Sequence, residues 1–307
     1  MRLTTDQVRR LDHAGPAERH ARLGHVIQQL QSLEVLPLFL PGTLGHDAGP
    51  GSDGVLIGAL TDQAVGHALA EDGTEITDET AAANNATTND MTLWPSTPEE
   101  DDAYYIGASA KFCGVVINFT TAASNLVMTT ALEYWDGEDW VALAAEDNTA
   151  GLMSTATGSK LCSFVPPADW RVTTITDKDE ADHEGYFVRW RCTEYTSKTA
   201  VPKAGQAWVL DLTHGAGLYM PGNCSIAGAD FTAATLSATN GDTVFLVINL
   251  TKGTCAALTY TKALAIDHDV LAVPLKFAAG DQLVIKQVME DGSTEYANVN
   301  AVLKLEV

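Results

Sequence analysis

The chain has 307 residues, of which 46% are hydrophobic and 19% are charged, and its 40 acidic side chains outnumber 18 basic ones to give a formal net charge of −22. A surface this acidic repels phosphates and anionic lipid headgroups, so we exclude a general DNA- or RNA-binding protein and expect no direct nucleic-acid partner. The length accommodates two domains, and no apolar run approaches the roughly 18 residues that a membrane helix needs, so we expect no membrane insertion.

Helical periodicity is confined to the beginning of the chain. Pro16 suits a first helical turn, and the residues after it place apolar side chains at alternating three- and four-residue spacings, a seam of about two heptads. A helix this short is marginal alone, so the seam packs either on a core of its own chain or on another protein surface. We predict an N-terminal helical anchor or oligomerisation segment over 1–36 and an extended Pro/Gly-rich tether over 37–64. The candidate anchoring residues are Leu23, Val26, Ile27, Leu30, Leu33, Leu38, Phe39 and Leu40.

From about Asp62 onward the sequence consists of short apolar segments joined by polar turns. The clearest alternation is GYFVRWRCTEY, in which one face carries Tyr186, Val188, Trp190 and Cys192, and the other carries Phe187, Arg189, Arg191 and Thr193. Strands at such spacing without intervening helices indicate an antiparallel sandwich. We therefore predict a mainly β protein with one β-sandwich domain over 65–206 and a second over 207–307.

The segment LEYWDGEDWVAL, residues 132–143, places two tryptophans around an Asp-Gly turn. Asp136-Gly137 favours a hairpin because glycine adopts positive φ without strain, and we expect at least one of the tryptophans to face the sandwich core. The alternative is an aromatic platform for a sugar. The candidate glycan contacts are Trp135, Trp140 and Tyr219.

The sequence contains three acidic clusters, 99–102, 136–139 and 177–184. The last could offer oxygen ligands to calcium but lacks the spacing of an EF-hand, so we predict solvated turn acids and no metal site. The chain contains no GxSxG, P-loop, GxGxxG or HExxH motif, and its eight histidines are scattered. The five cysteines form no CxxC pair, which argues against zinc binding and predicts buried free thiols. We expect neither an enzyme nor a cofactor.

Four motifs occur in an order that resembles a module of tailed-phage virion proteins: TDETAAANNATTNDMTLWP…DDAYYIG, LEYWDGEDWVAL, FVPPADW and GYFVRWRCT. The likeness covers about 65–200, and Phe187 stands where that family often has Trp. The segment VPLKFAAGDQLVIKQVMEDGSTE in turn resembles the small jelly-roll domains that end phage fibres and capsid spikes. The resemblance implies a homotrimer on the virion surface, assembled in the host cytoplasm.

These observations lead to one functional expectation and two competitors. We expect a capsid decoration or head-fibre (spike) protein that attaches through its N-terminus to the major capsid protein or other virion proteins. Its β-domains would then project for particle stabilisation or host adhesion. The alternative is a tail-fibre or baseplate receptor-binding protein that recognises a host surface glycan. A virion-borne glycan hydrolase would need two carboxylates about 5 or 6.5–9.5 Å apart in a cleft.

Overall fold

The computed structural model describes residues 35–36, 55–220, 222–235, 242–261, 264, 266–290 and 297–306. Most of the predicted helical segment 1–36 lies outside these residues, as do all of the candidate anchoring residues from Leu23 to Leu40. The last two residues of that segment form a strand, and so do residues 55–57 and 59–64 of the predicted tether.

The described residues form one short helix, α1 (Thr80–Ala83), and twenty-two strands. The strands are β1 (Val35–Leu36), β2 (Val55–Ile57), β3 (Ala59–Ala64), β4 (His67–Asp72), β5 (Glu75–Asp78), β6 (Met91–Thr92), β7 (Ala103–Ala108), β8 (Phe112–Thr121), β9 (Val127–Trp135), β10 (Trp140–Ala142), β11 (Ala145–Asp147), β12 (Gly158–Phe164), β13 (Thr173–Thr176), β14 (Asp182–Ser197), β15 (Lys203–Ala216), β16 (Leu218–Tyr219), β17 (Cys224–Thr235), β18 (Asp242–Asn249), β19 (Thr254–Thr261), β20 (Ile266–Phe277), β21 (Gln282–Glu290) and β22 (Ala297–Glu306). Within this described part of the chain, no helix is long and apolar enough to cross a membrane.

The strands form four sheets, and the strand pairs within them are antiparallel. A seven-stranded sheet has the order β10-β9-β14-β7-β4-β5 with β13 added beside β14, and a six-stranded sheet has the order β11-β12-β8-β15-β3 with β6 beside β15. A five-stranded sheet has the order β16-β21-β18-β19 with β2 beside β21, and a four-stranded sheet has the order β1-β22-β17-β20. The prediction of a mainly β, antiparallel protein is confirmed.

The seven- and six-stranded sheets enclose an aromatic-rich core. Trp94, Trp170 and Trp190 are each at most 1% exposed, and they pack among phenylalanines of β8 and β12. The predicted alternation in β14 is confirmed, because Val188, Trp190 and Cys192 face this core while Phe187 belongs to a separate cluster on the outer face. The cysteines are free thiols, and three of them are buried as predicted: Cys113, Cys162 and Cys192.

A second core lies between the five- and four-stranded sheets. Phe231 of β17 stacks on Phe245 of β18 with ring centroids 5.7 Å apart, and Tyr260 of β19 lies 5.4 Å from Phe231. Aliphatic side chains from β20, β21 and β22 complete it. The two cores therefore belong to two sandwiches.

The two sandwiches pack back to back through a third, aliphatic cluster. The outer face of the six-stranded sheet contributes Leu161, Leu210 and Leu212, and the five-stranded sheet contributes residues such as Leu246 and Val284. The Ser163 hydroxyl donates a hydrogen bond of 2.6 Å to the Val288 carbonyl across the same contact. The fold is thus a stack of four β-layers, and the boundary predicted between residues 206 and 207 falls within β15 of the first sandwich.

Candidate functional site

The Asp-Gly segment forms the predicted hairpin between β9 and β10. Trp135 pairs with Trp140 in the ladder, and the Asp136 carboxylate accepts the backbone N–H groups of Glu138 and Asp139, both at 2.8 Å. Gly137 has a φ of 115°, in the region that glycine tolerates best. The Asp136 side chain therefore closes the turn of the hairpin.

The two tryptophans lie on the outer face of the seven-stranded sheet, so the expectation that one of them faces the core is wrong. The strand register turns Tyr134 towards the aromatic core and its neighbour Trp135 away from it. Trp140 packs on an outer-face cluster, defined by the buried residues Leu69, Ala103, Tyr105 and Phe187. The indole rings of the pair are 5.7 Å apart, and each residue is half-buried, so part of both rings reaches the surface.

Charged side chains lie beside and beneath this pair. The Arg189 guanidinium lies 4.3 Å from the centroid of the Trp140 ring, within the range of a cation–π contact. Arg189 donates to the Glu133 carboxylate through Nε at 2.8 Å, and Arg191 donates to it through Nη2 at 2.9 Å. Arg191 also reaches Asp101 through Nη1 at 2.9 Å. We call Glu133, Trp140, Arg189 and Arg191 the outer-face network.

Burial and pairing set the charges of the network. Burial raises the pKa of Glu133, but the hydrogen bonds from Arg191 and Arg189 outweigh burial and leave that pKa below its usual value. Burial also raises the pKa of Tyr105, whose hydroxyl donates to Glu71 at 2.5 Å. At neutral pH the network therefore holds a carboxylate between two guanidinium groups, next to the half-buried tryptophan pair.

The third candidate glycan contact, Tyr219, lies in another sheet. It is 67% exposed on β16, where it pairs with Gln282 of β21 in the five-stranded sheet. The structure therefore brings Trp135 and Trp140 together and leaves Tyr219 in a separate place.

Two of the acids predicted to be solvated are buried. Asp102 is 0% exposed and accepts the backbone N–H groups of Gly73 at 2.8 Å and Glu99 at 2.6 Å. Asp177 is 9% exposed, and its Oδ1 accepts the N–H groups of Asp179 and Ala181, both at 2.9 Å. Backbone donors replace water at both carboxylates, so the prediction of solvated turn acids is wrong at these positions.

Asp177 also belongs to a cluster that the sequence did not indicate. One donor atom each from Asp78, Asp177 and His183 lies within 4.8 Å of the other two, an arrangement able to hold a metal ion. His67 joins the cluster, with its Nδ1 3.3 Å from the Nδ1 of His183. These residues come from β4, the end of β5, the loop after β13 and the start of β14.

Gly107 helps to bring the histidines together. It lies on β7 opposite both His67 of β4 and Phe187 of β14. A Cβ at this position would lie 2.4 Å from the Phe187 ring, so only glycine leaves room for that ring. Phe187 then stacks on the His67 imidazole with centroids 5.5 Å apart, which holds the imidazole beside β14.

No family model, curated protein or solved structure matches the chain.

Proposed function

We propose that the protein is a structural component of a virion surface, a capsid decoration or head fibre that stabilises the particle or adheres to the host. The observation that carries the proposal is the place of the resembling motifs in the structure. LEYWDGEDWVAL contains the turn of the β9–β10 hairpin, DDAYYIG overlaps β7, and GYFVRWRCT lies within β14. These are neighbouring strands of one sheet, so the motifs form one packing unit.

The remaining motif, FVPPADW, supplies the centre of the first core. The Trp170 ring lies 4.9 Å from Phe112 and 5.7 Å from Tyr186, and its Nε1 donates to the Phe187 carbonyl at 3.1 Å. Motifs that together form a packing unit suit a scaffold, and the back-to-back sandwiches suit a body that must not come apart on a particle surface. The jelly-roll character of the second sandwich is part of this proposal.

The attachment is proposed to run through the N-terminal helical anchor to the major capsid protein or other virion proteins. A buried Leu or Phe contributes roughly 1.5–3 kcal/mol, so a few of the candidate residues would suffice. A homotrimer would multiply that affinity by linking three anchors.

Co-sedimentation with empty capsids and, separately, with tails of the same virus tests this proposal. Deleting residues 1–60 would remove β1 and β2, so the better variant is the full chain carrying Leu23→Asp, Ile27→Asp and Leu30→Asp. The matched control carries three Val→Asp changes at exposed apolar positions of the body, namely Val127, Val172 and Val273.

We expect the wild type and the control to sediment with capsids and the anchor variant to stay in the supernatant. Sedimentation only with tails, or equal sedimentation of all three proteins with capsids, would contradict attachment through the N-terminal segment.

A receptor-binding function is the second candidate, and the tryptophan pair favours it. A sugar ring has an apolar face and a rim of hydroxyls, which suits an indole surface with charged hydrogen-bonding groups beside it. Binding of host surface polysaccharide, measured by calorimetry, should then be lost in Trp135→Ala and kept in Tyr219→Ala. The reverse pattern would place the contact on β16, and the absence of binding by the wild type would remove this candidate.

A further inference from the structure

The cluster of Asp78, Asp177, His183 and His67 lies on the outer face of the seven-stranded sheet. Backbone donors fix both carboxylates. Oδ1 of Asp177 is held by two N–H groups of its own loop, which turns Oδ2 towards His183 Nε2 at 3.1 Å. Oδ1 of Asp78 accepts the N–H of Thr80 at 2.8 Å. The donor atoms are therefore oriented before any ligand arrives.

The two histidines form a chain of three polar contacts. His67 Nε2 lies 3.2 Å from the Glu184 carbonyl, His67 Nδ1 lies 3.3 Å from His183 Nδ1, and His183 Nε2 lies 3.1 Å from Asp177 Oδ2. Each contact needs one hydrogen, because a carbonyl and a carboxylate only accept. Two neutral imidazoles carry one N–H each, so they supply two hydrogens for three contacts.

In one arrangement of the two N–H groups the shortage falls between His183 and Asp177. When the N–H of His67 is on Nε2 and donates to the Glu184 carbonyl, Nδ1 of His67 accepts and Nδ1 of His183 donates. Nε2 of a neutral His183 then presents a lone pair to a carboxylate oxygen of Asp177. Two acceptors at 3.1 Å repel each other unless a cation lies between them.

The distance suits a metal ion in that position. Metal–ligand bonds of zinc are near 2.0–2.2 Å, and two ligands at a tetrahedral angle are then roughly 3.3 Å apart. Asp78 supplies the next donor, and because this residue is exposed, a water molecule can reach the remaining position. A histidine ligand whose other ring N–H is held by a neighbour is the usual arrangement in metal sites, and here the neighbour is His67.

We propose that Asp78, Asp177 and His183 bind one divalent transition-metal ion, with zinc as the best match. One imidazole and two carboxylates suit zinc, whereas calcium prefers six to eight oxygen ligands. The ion joins the end of β5 to the β13–β14 hairpin, which the backbone bond from Lys178 N–H to the Ile76 carbonyl at 2.8 Å already brings together.

Calorimetric titration of the chelator-treated full-length protein with zinc chloride tests the proposal, with calcium and magnesium chloride as comparisons. We expect one zinc ion per chain, no comparable calcium or magnesium binding, and a rise in melting temperature. Cobalt(II) in place of zinc should give the visible absorption of a tetrahedral site.

The ligand variants are His183→Ala, Asp177→Asn and Asp78→Asn, each expected to weaken zinc binding by about tenfold or more. Asp78 is exposed, so its variant tests the site even where changes at the two buried ligands disturb folding. His268→Ala is the matched control, because His268 pairs with Asp230 at 2.7 Å and lies outside the three-ligand group. Absence of zinc binding would overturn the proposal and leave a proton as the cation between His183 and Asp177. Equal zinc affinities in His183→Ala, Asp78→Asn and the control would also overturn it.

Discussion

The two faces of β14 in the seven-stranded sheet differ in the contacts that their side chains make: packing in the core on the inner face and pairing of charged groups on the outer face. On the inner face Val188, Trp190 and Cys192 are fully buried in the first core, where Trp190 Nε1 also donates to the Asp147 carboxylate at 3.0 Å. On the outer face the neighbouring Arg189 and Arg191 are bound by a carboxylate and a tryptophan ring. Stable burial of an apolar side chain depends on its size and shape, whereas a charged side chain on a sheet face needs a particular partner of opposite charge. The charged contacts of β14 that need particular partners therefore lie on its outer face.

The largest predicted loss of stability comes from a substitution in the aromatic core, on the inner side of the sheet. Trp170→Ala should lower the free energy of unfolding by about 3–5 kcal/mol, because it empties the centre of the aromatic core. The comparison variant is Trp135→Ala on the outer face, where the half-buried ring should cost about 1 kcal/mol or less. Urea unfolding followed by near-UV circular dichroism measures both, and equal losses would contradict the division between the faces.

A smaller effect is predicted for the outer-face network. Glu133→Gln removes the carboxylate that Arg189 and Arg191 share, leaves Arg191 with its exposed partner Asp101, and should cost about 1–3 kcal/mol at neutral pH. Because the pKa of Glu133 is lowered in the folded protein, its contribution is present above the ordinary carboxyl pKa and is lost as pH falls through the folded value. The difference between wild type and variant should therefore shrink in acid.

Asp101→Asn is the control for that measurement. Asp101 also pairs with Arg191, but its side chain is 77% exposed, so its loss should change stability by about 0.5 kcal/mol or less. If Asp101→Asn lowered stability as much as Glu133→Gln does, burial of the Glu133 carboxylate would not be the reason for the effect of Glu133→Gln.

The contact between the sandwiches offers a third test. Ser163→Ala removes the hydrogen bond to the Val288 carbonyl and should cost about 1 kcal/mol. Ser159→Ala, an exposed serine on the same strand, should be nearly neutral. Thermal unfolding distinguishes them, and identical midpoints would show that the aliphatic cluster alone joins the sheets.

A fourth test concerns a turn of the second sandwich. Hydrogen bonds from Lys252, the Ala278 backbone and Asn249 lower the pKa of Asp281 to about 2. The stability that it contributes is present above the ordinary Asp pKa and disappears as pH falls through about 2. Melting temperatures of Asp281→Asn should depend less on pH than those of the wild type between about pH 4 and pH 2, and parallel curves would contradict this.

Local rules predicted the features that depend on neighbouring residues. The alternation in β14 and the hairpin at Asp136-Gly137 follow from a two-residue period and from the freedom of glycine. The direction of Trp135 was not predictable, because it depends on which residue of β9 faces the core.

The cluster of Asp78, Asp177, His183 and His67 could not be predicted as a unit, because strand order assembles it. His67 and His183 are 116 residues apart, and they meet only because β4 and β14 flank β7. The signal that could have suggested it is the pair of histidines at the starts of two strands, β4 and β14, together with Asp78 at the end of β5 and Asp177 directly after β13. No rule of sequence spacing joins these four residues.

The segment 35–64 has a consequence for how the chain acquires its structure. β1 pairs with β22 through Val35 and Lys304, β2 pairs with β21 through Val55 and Lys286, and β3 pairs with β15. The first two ladders join strands separated by most of the sequence, and the third joins strands that are also far apart in it, a high contact order that slows folding. During synthesis β1 and β2 leave the ribosome before their partners exist, so these two strands are among the last to pair.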